Sequence, residues 1–204
     1  MATKPSWSMI NPTSGSGNGS FSISATEHTG REPMIGYTEV HGVGVQFDAN
    51  EHQVKIIRTP KAEFVQFTEG LEMSAPKDGG ALTVTGKSNS SKLNFTTGAS
   101  DITLPSKYTA AGLSTSNNVA ISDDPGAVSQ YDFSVGLTLP PNGTTEEIER
   151  KLTVTANGGQ TSEITIKQAA GNATLSLDKL EVTIPQEGGT VVINVTSNTT
   201  WTIQ

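Results

Sequence analysis

The run Leu71-Glu72-Met73-Ser74-Ala75-Pro76-Lys77-Asp78-Gly79-Gly80 returns 109 residues later as Leu180-Glu181-Val182-Thr183-Ile184-Pro185-Gln186-Glu187-Gly188-Gly189. The match continues through Val84 with Ile193, Ser88 with Ser197 and Asn89 with Asn198. One structural unit is therefore specified twice, and that has to be settled before any fold is argued. A second, weaker repeat links residues 31–58 with 150–167, each a polar lead-in, a strand, a Gly-containing turn and a closing strand that ends on a basic residue. Together the repeats predict three parts. Residues 61–170 hold a front half and a back half and make one complete domain, with an insertion at about 98–130. Residues 1–60 hold only a back half, and residues 171–204 only a front half.

Within each part the apolar residues alternate with polar ones at period two. Phe21-Ser22-Ile23-Ser24-Ala25, Val54-Lys55-Ile56-Ile57, Leu82-Thr83-Val84-Thr85, Lys92-Leu93-Asn94-Phe95 and Tyr131-Asp132-Phe133-Ser134-Val135 show it. So do Leu152-Thr153-Val154-Thr155, Ile164-Thr165-Ile166 and the runs at 43–47, 180–184 and 191–195. Each run is short, rich in β-branched residues and bounded by Gly, Asn, Pro or Asp, which is the pattern of half-buried antiparallel strands. Asp78-Gly79-Gly80, Asn142-Gly143, Asn157-Gly158-Gly159 and Glu187-Gly188-Gly189 mark turns. Residues 144–152, a Thr followed by Glu residues, carry the one helix signal, worth one or two turns. The expected class is all-β, built as sandwiches rather than one large sheet.

Composition narrows the functions open to such a chain. With no cysteine among 204 residues it has no disulfide scaffold, thiol nucleophile or thiolate zinc site. A net charge of −7 argues against nucleic acid as a partner, since phosphate backbones are bound by clustered Lys and Arg. No apolar run approaches the ~20 residues of a membrane-spanning helix, and the first residues show no export signal. Gly86-Lys87-Ser88 lacks the preceding glycine of a phosphate-binding loop, because position 81 is alanine. His28, His41 and His52 lack metal-ligand spacing, and Asp123-Asp124-Pro125-Gly126 fits a turn better than a calcium loop. No catalytic residue, cofactor or metal ligand is therefore assigned, and the chain is expected not to be an enzyme.

The same residues resemble the BACON domain, an immunoglobulin-like sandwich of Bacteroidota surface proteins and of the crAss-like phages that infect them. The family's front half, Leu-x-(Val/Phe)-x-x-x-Gly-Gly followed by Ser-Asn-x-x-Trp, is matched by residues 180–189 and by Ser197-Asn198-Thr199-Thr200-Trp201. Its back half is matched by Trp7, by Asn11-Pro12-Thr13-Ser14-Gly15-Ser16-Gly17-Asn18-Gly19, by residues 21–25 and by His28-Thr29-Gly30-Arg31. The middle domain keeps the front motif, but its Ser-Asn is followed by Leu93 and Phe95 rather than Trp. The resemblance implies tandem immunoglobulin-like sandwiches, one complete and one split between the chain ends.

Half of a sandwich exposes edge strands and an unburied apolar face, so each terminal half needs completion. Either the two halves meet within one chain, or the C-terminal half of one subunit completes the N-terminal half of the next. Trp7, Phe21, Ile23, Leu180, Val182, Val191, Ile193, Val195 and Trp201 are the residues expected at that seam. The expected role is that of a structural phage virion protein, a capsid decoration (auxiliary) protein or a head or tail appendage, assembled in the host cytoplasm. Its partners would be further copies of itself and other virion proteins such as the major capsid protein. The alternative is a bacterial cell-surface module that binds glycans or mucin.

Overall fold

A computed structural model describes residues 4–204, and nearly all of the regular structure in it is β. The first part carries β1 (Ser8–Asn11), β2 (Ser22–Ala25), β3 (Met34–Glu39), a one-turn helix α1 (Ala49–His52) and β4 (Gln53–Arg58). The middle part runs β5 (Val65–Phe67), β6 (Glu72–Ala75), β7 (Gly80–Ser88), β8 (Leu93–Thr97), β9 (Lys107–Ala110) and β10 (Leu113–Ser116). It continues through a second one-turn helix, α2 (Pro125–Val128), to β11 (Tyr131–Leu139), β12 (Ile148–Ala156) and β13 (Thr161–Gln168). The last part carries β14 (Leu175–Leu177) and β15 (Val195–Ser197).

The middle part is a β-sandwich of a five-stranded sheet, β10-β9-β11-β7-β5, and a four-stranded sheet, β6-β13-β12-β8. The pairing is antiparallel except for β6, which runs parallel to β13 with Glu72 opposite Thr165. The inward residues predicted from alternation form the core. Val84, Phe133, Val135 and Leu137 of one sheet meet Leu93, Phe95, Leu152, Val154, Ile164 and Ile166 of the other. Phe133 sits at the centre, edge-on to both Phe67 and Phe95, an arrangement that suits aromatic quadrupoles. Opposite Phe133 the facing strand has Gly86, where a Cβ would lie 2.2 Å from the Phe133 ring. The segment 98–130 contributes β9, β10 and α2, so part of it extends the five-stranded sheet along β11.

Four local expectations are corrected. Residues 144–152 form no helix. Thr144 and Asn142 hydrogen-bond locally in a turn, with Thr144 N–H donating to Asn142 Oδ1 at 2.9 Å, and Ile148 then opens β12. The alternation of Arg150, Leu152 and Val154 fits a strand between β13 and β8, and that pairing overrides a weak capping signal. Residues 43–47 form no strand either. Val45 N–H closes a turn onto Gly42 O, and Phe47 stacks on His41 at 4.8 Å. Residues 180–184 form no strand, and of 191–195 only Val195 enters a ladder. A strand needs a ladder of backbone bonds with a neighbour. Asn194 bonds Asp178, and Val192 O accepts from Lys179 Nζ at 2.9 Å, but these contacts do not extend the β14–β15 ladder.

Every one of the buried core residues lies between Val65 and Ile166. The terminal parts bond only within themselves as sheets: β1 with β2, β3 with β4, β14 with β15.

Candidate assembly interface

The first part is two hairpins joined at one end. Trp7 is half-buried. Its ring lies 5.2 Å beneath the Arg58 guanidinium, a cation–π contact, and the Trp7 indole and Pro5 cover Gly36. A Cβ on Gly36 would meet Pro5 Cγ at 2.1 Å, so only glycine lets β3 lie this close to the N-terminal segment. Arg58 also donates to Thr26 O at 2.7 Å, tying the end of β4 to the chain leaving β2.

Bond by bond, this part copies the back half of the central sandwich. Met34 faces Arg58 across β3 and β4 as Ile148 faces Gln168 across β12 and β13. The His28 ring meets Glu32 O at 2.7 Å where the Asn142 amide meets Glu146 O at 2.8 Å. Arg58 reaches Thr26 O where Gln168 reaches Pro140 O at 2.9 Å. Lys61 N–H reaches Gly30 O at 2.8 Å where Gly171 N–H reaches Thr144 O at 2.7 Å.

The last part copies the front half in the same way. Leu175 faces Ser197 as Val65 faces Ser88. Ser197 Oγ donates to Thr174 O at 2.8 Å, and Ser88 Oγ to Phe64 O at 2.7 Å. Thr174 N–H donates to Asn198 Oδ1 at 2.8 Å, and Phe64 N–H to Asn89 Oδ1 at 2.9 Å. The Pro-x-x-Gly turns also coincide: Gly188 N–H bonds Pro185 O and Gly79 N–H bonds Pro76 O, each glycine at positive φ.

What differs is burial. In the middle part Val84, Leu137, Leu152, Val154, Ile164 and Ile166 are almost wholly enclosed. By the register above, their counterparts are Ile193, Ile23, Thr38, Val40, Val54 and Ile56. Ile193 is 42 % exposed, Val40 48 % and Val54 37 %. Among the residues expected at a seam, Phe21, Leu180, Val182, Val191, Ile193 and Trp201 are exposed, and Trp7, Ile23 and Val195 are half-buried. The structure does not bring the two groups together: Trp7 and Ile23 belong to the N-terminal hairpins, and the residues from 180 onward to the C-terminal segment. The C-terminal apolar face is open, and the N-terminal one is partly so, with Thr38 buried and Ile23 and Ile56 half-buried.

Each terminal part is clamped to the middle by an asparagine. Asn89, fully buried, donates to Thr29 O and Ala62 O, both at 3.2 Å. Asn198 donates to Gly143 O at 2.7 Å and Asn172 O at 2.9 Å. At the first junction Arg31 also grips Asp124 through two hydrogen bonds, while Arg31 N–H and Glu32 N–H bond the Gly126 and Ala127 carbonyls of α2. The paired Asp124 carboxylate holds the Arg31 guanidinium pKa above its ordinary value. The Ser-Asn pairs were visible as a repeat in the sequence. Their role as junction clamps was not, because their partners lie about 55–60 residues away.

His41 bonds Glu39 at 3.0 Å and flanks Phe47 with His52, and His28 bonds a backbone carbonyl. Among the described residues no group of three or more His, Asp and Glu is placed to hold a metal. No helix is long and apolar enough to cross a membrane among those residues.

No family model and no curated protein matches the sequence. Among solved structures, the chain is similar to part of a Bacteroides ovatus GH5 xyloglucanase in complex with a XXXG heptasaccharide, with 16 % identity and a TM-score of 0.35. That likeness covers 52 % of this chain and 19 % of the other.

Proposed function

We propose that this chain is a non-enzymatic structural protein that assembles with further copies of itself by strand complementation, as an auxiliary capsid protein or a head or tail appendage of a virion. One observation carries the assembly: the chain ends display two apolar faces, one open and one partly open, whose counterparts, 109–114 residues away in the same chain, bury one another as a sandwich core. A face of that kind is costly to leave in water, at roughly 25 cal/mol per Å² of apolar surface. The virion setting, with the major capsid protein among the partners, draws on the BACON resemblance of residues 7–31 and 180–201. It also draws on a β chain whose assembly needs no chemistry.

The alternative, a cell-surface glycan- or mucin-binding module, draws on the exposed rings of Tyr37 and Trp201. Light scattering over a concentration series tests the assembly reading. Mass rising with concentration, and falling to monomer on deletion of residues 172–204, is the expected result. An oligomer that survives the deletion removes strand complementation. A monomer that captures mucin on a pull-down leaves the binding module in its place.

A further inference from the structure

We infer that the completing half comes from a second copy of this chain, in one defined register: residues 189–197 of one subunit antiparallel to residues 17–25 of the next, and residues 181–184 parallel to residues 55–58. This rests on the strand-complementation reading and adds which copy and which residues meet.

The central sandwich supplies the template. There β7 lies antiparallel to β11, with Gly80 opposite Leu139, Leu82 opposite Leu137, Val84 opposite Val135 and Gly86 opposite Phe133. Carried through the hydrogen-bond correspondences, these pairs become Gly189 with Ala25, Val191 with Ile23, Ile193 with Phe21 and Val195 with Gly19. The last pair is telling. The centre of the middle core sets a large Phe133 against Gly86, with no room for a Cβ. In the split sandwich the sizes are exchanged, glycine at 19 and valine at 195, so the strands still approach without a clash. In the parallel ladder, Ile166 with Met73 becomes Ile56 with Val182, and Gln168 with Ala75 becomes Arg58 with Ile184. Thr165 with Glu72 becomes Lys55 with Glu181, an opposite-charge pair on the outer face, where the middle domain has Lys167 on Glu72 at 2.9 Å.

The clamps decide between one chain and two. The receiving strands β2 and β4 are fixed by Thr29 and Arg31 to the pole of the middle sandwich at Asn89, Asp124 and Gln130. The donating segment is fixed by Asn198 to the opposite pole, at Gly143. Between these poles run β7 and β11, nine paired residues long, or roughly 26 Å at ~3.3 Å per residue. The hairpin β14–β15 is itself bonded at the far pole, so it cannot turn back along the sandwich without breaking its own clamp. Because both junctions use the same asparagine bond, a copy added at the end meets its neighbour as the middle domain meets its own ends. The contact is heterologous and does not close on itself within a pair, so it propagates head to tail.

The absence of cysteine makes the register directly readable. Ser24 and Thr190 would lie opposite each other on the outer face, as Thr138 and Ala81 do. Full-length S24C and T190C, purified separately, mixed and oxidised, should give a covalent dimer. S24C mixed with V192C, two residues out of register, should give several-fold less. The double variant S24C/T190C should give a ladder of covalent oligomers.

A single compact cross-linked chain from the double variant would mean closure within one molecule and overturn the inference. Oligomers by light scattering with no S24C–T190C cross-link would overturn the register while leaving complementation standing. A monomer at all concentrations would remove both. As an independent check, K55E or E181K alone should weaken association about threefold, and the double exchange should recover it. Equal, additive losses would count against the parallel register.

Discussion

The two asparagines of the repeated Ser-Asn pair occupy the same hydrogen-bonding position in different surroundings, so one substitution should have two outcomes. Asn89 is fully buried and satisfies Phe64 N–H, Thr29 O and Ala62 O. N89A leaves those groups unpaired inside the protein and should cost roughly 1–3 kcal/mol of folding stability. Asn198 makes the equivalent bonds near solvent, so N198A should barely move the unfolding midpoint of the middle domain while weakening oligomer formation. Denaturation and light scattering on both variants check the contrast; equal effects on stability would contradict it.

A second residue cluster carries a pH signature. Arg150 is nearly fully buried, donates to Gln168 Oε1 at 2.6 Å and pairs with Asp101. Its guanidinium, hydrogen-bonded to Asp101, holds that carboxyl below its ordinary value. Since the folded value is the lower one, the pair stabilises the domain above the ordinary carboxylate range near pH ~4. That contribution disappears as pH falls through the folded value. The Asp101 side chain is 45 % exposed, so solvent screens the pair, and D101N should lower stability at neutral pH by less than about 1 kcal/mol and flatten the acid side of the stability profile, as followed by urea unfolding from pH ~7 to ~3.

Among the elements, what the sequence makes legible depends on where each strand finds its partner. Alternation locates β7, β8, β11, β12 and β13 because their neighbours lie in the same domain, and hydrophobic period and ladder agree. The same alternation at residues 180–184 and 191–194 gives no ladder, since the pattern specifies a face and not the presence of a neighbour to cover it. At 43–47 the apolar residues alternate, but Gly42 and Gly44 favour a turn, and Phe47 finds its contact on His41. The repeat locates the candidate interface without fixing its register. Register comes from hydrogen bonds such as Arg58 to Thr26 O and Gln168 to Pro140 O, whose donors share neither residue type nor charge.

One element-level consequence concerns the exchanged small and large pair. G86A would push a methyl group into the Phe133 ring and should destabilise the middle domain by about 1–3 kcal/mol. V195G shortens a half-exposed side chain, so it should leave the middle domain unchanged and reduce oligomer mass. Unfolding curves and light scattering on the two variants separate the effects.

For the molecule as a whole, the contrast between a self-contained sandwich and a divided one predicts two kinds of thermal behaviour in one chain. The middle domain buries its whole core within residues 65–166, so its transition is unimolecular and its midpoint should not move with protein concentration. In the proposed assembly, the split domain acquires a core only when residues 172–204 of one copy cover residues 5–61 of another. Its folded population is then linked to association and gains about 1.4 kcal/mol for each tenfold rise in free partner. For a unit of this size that corresponds to an upward shift of roughly 5–10 °C per decade of concentration. Calorimetry at two concentrations a hundredfold apart should show one fixed and one moving transition. Removal of residues 172–204 should abolish the moving one and leave the other in place. Two fixed transitions would mean that both cores close within a single chain, residues 172–204 covering the N-terminal hairpins of the same molecule.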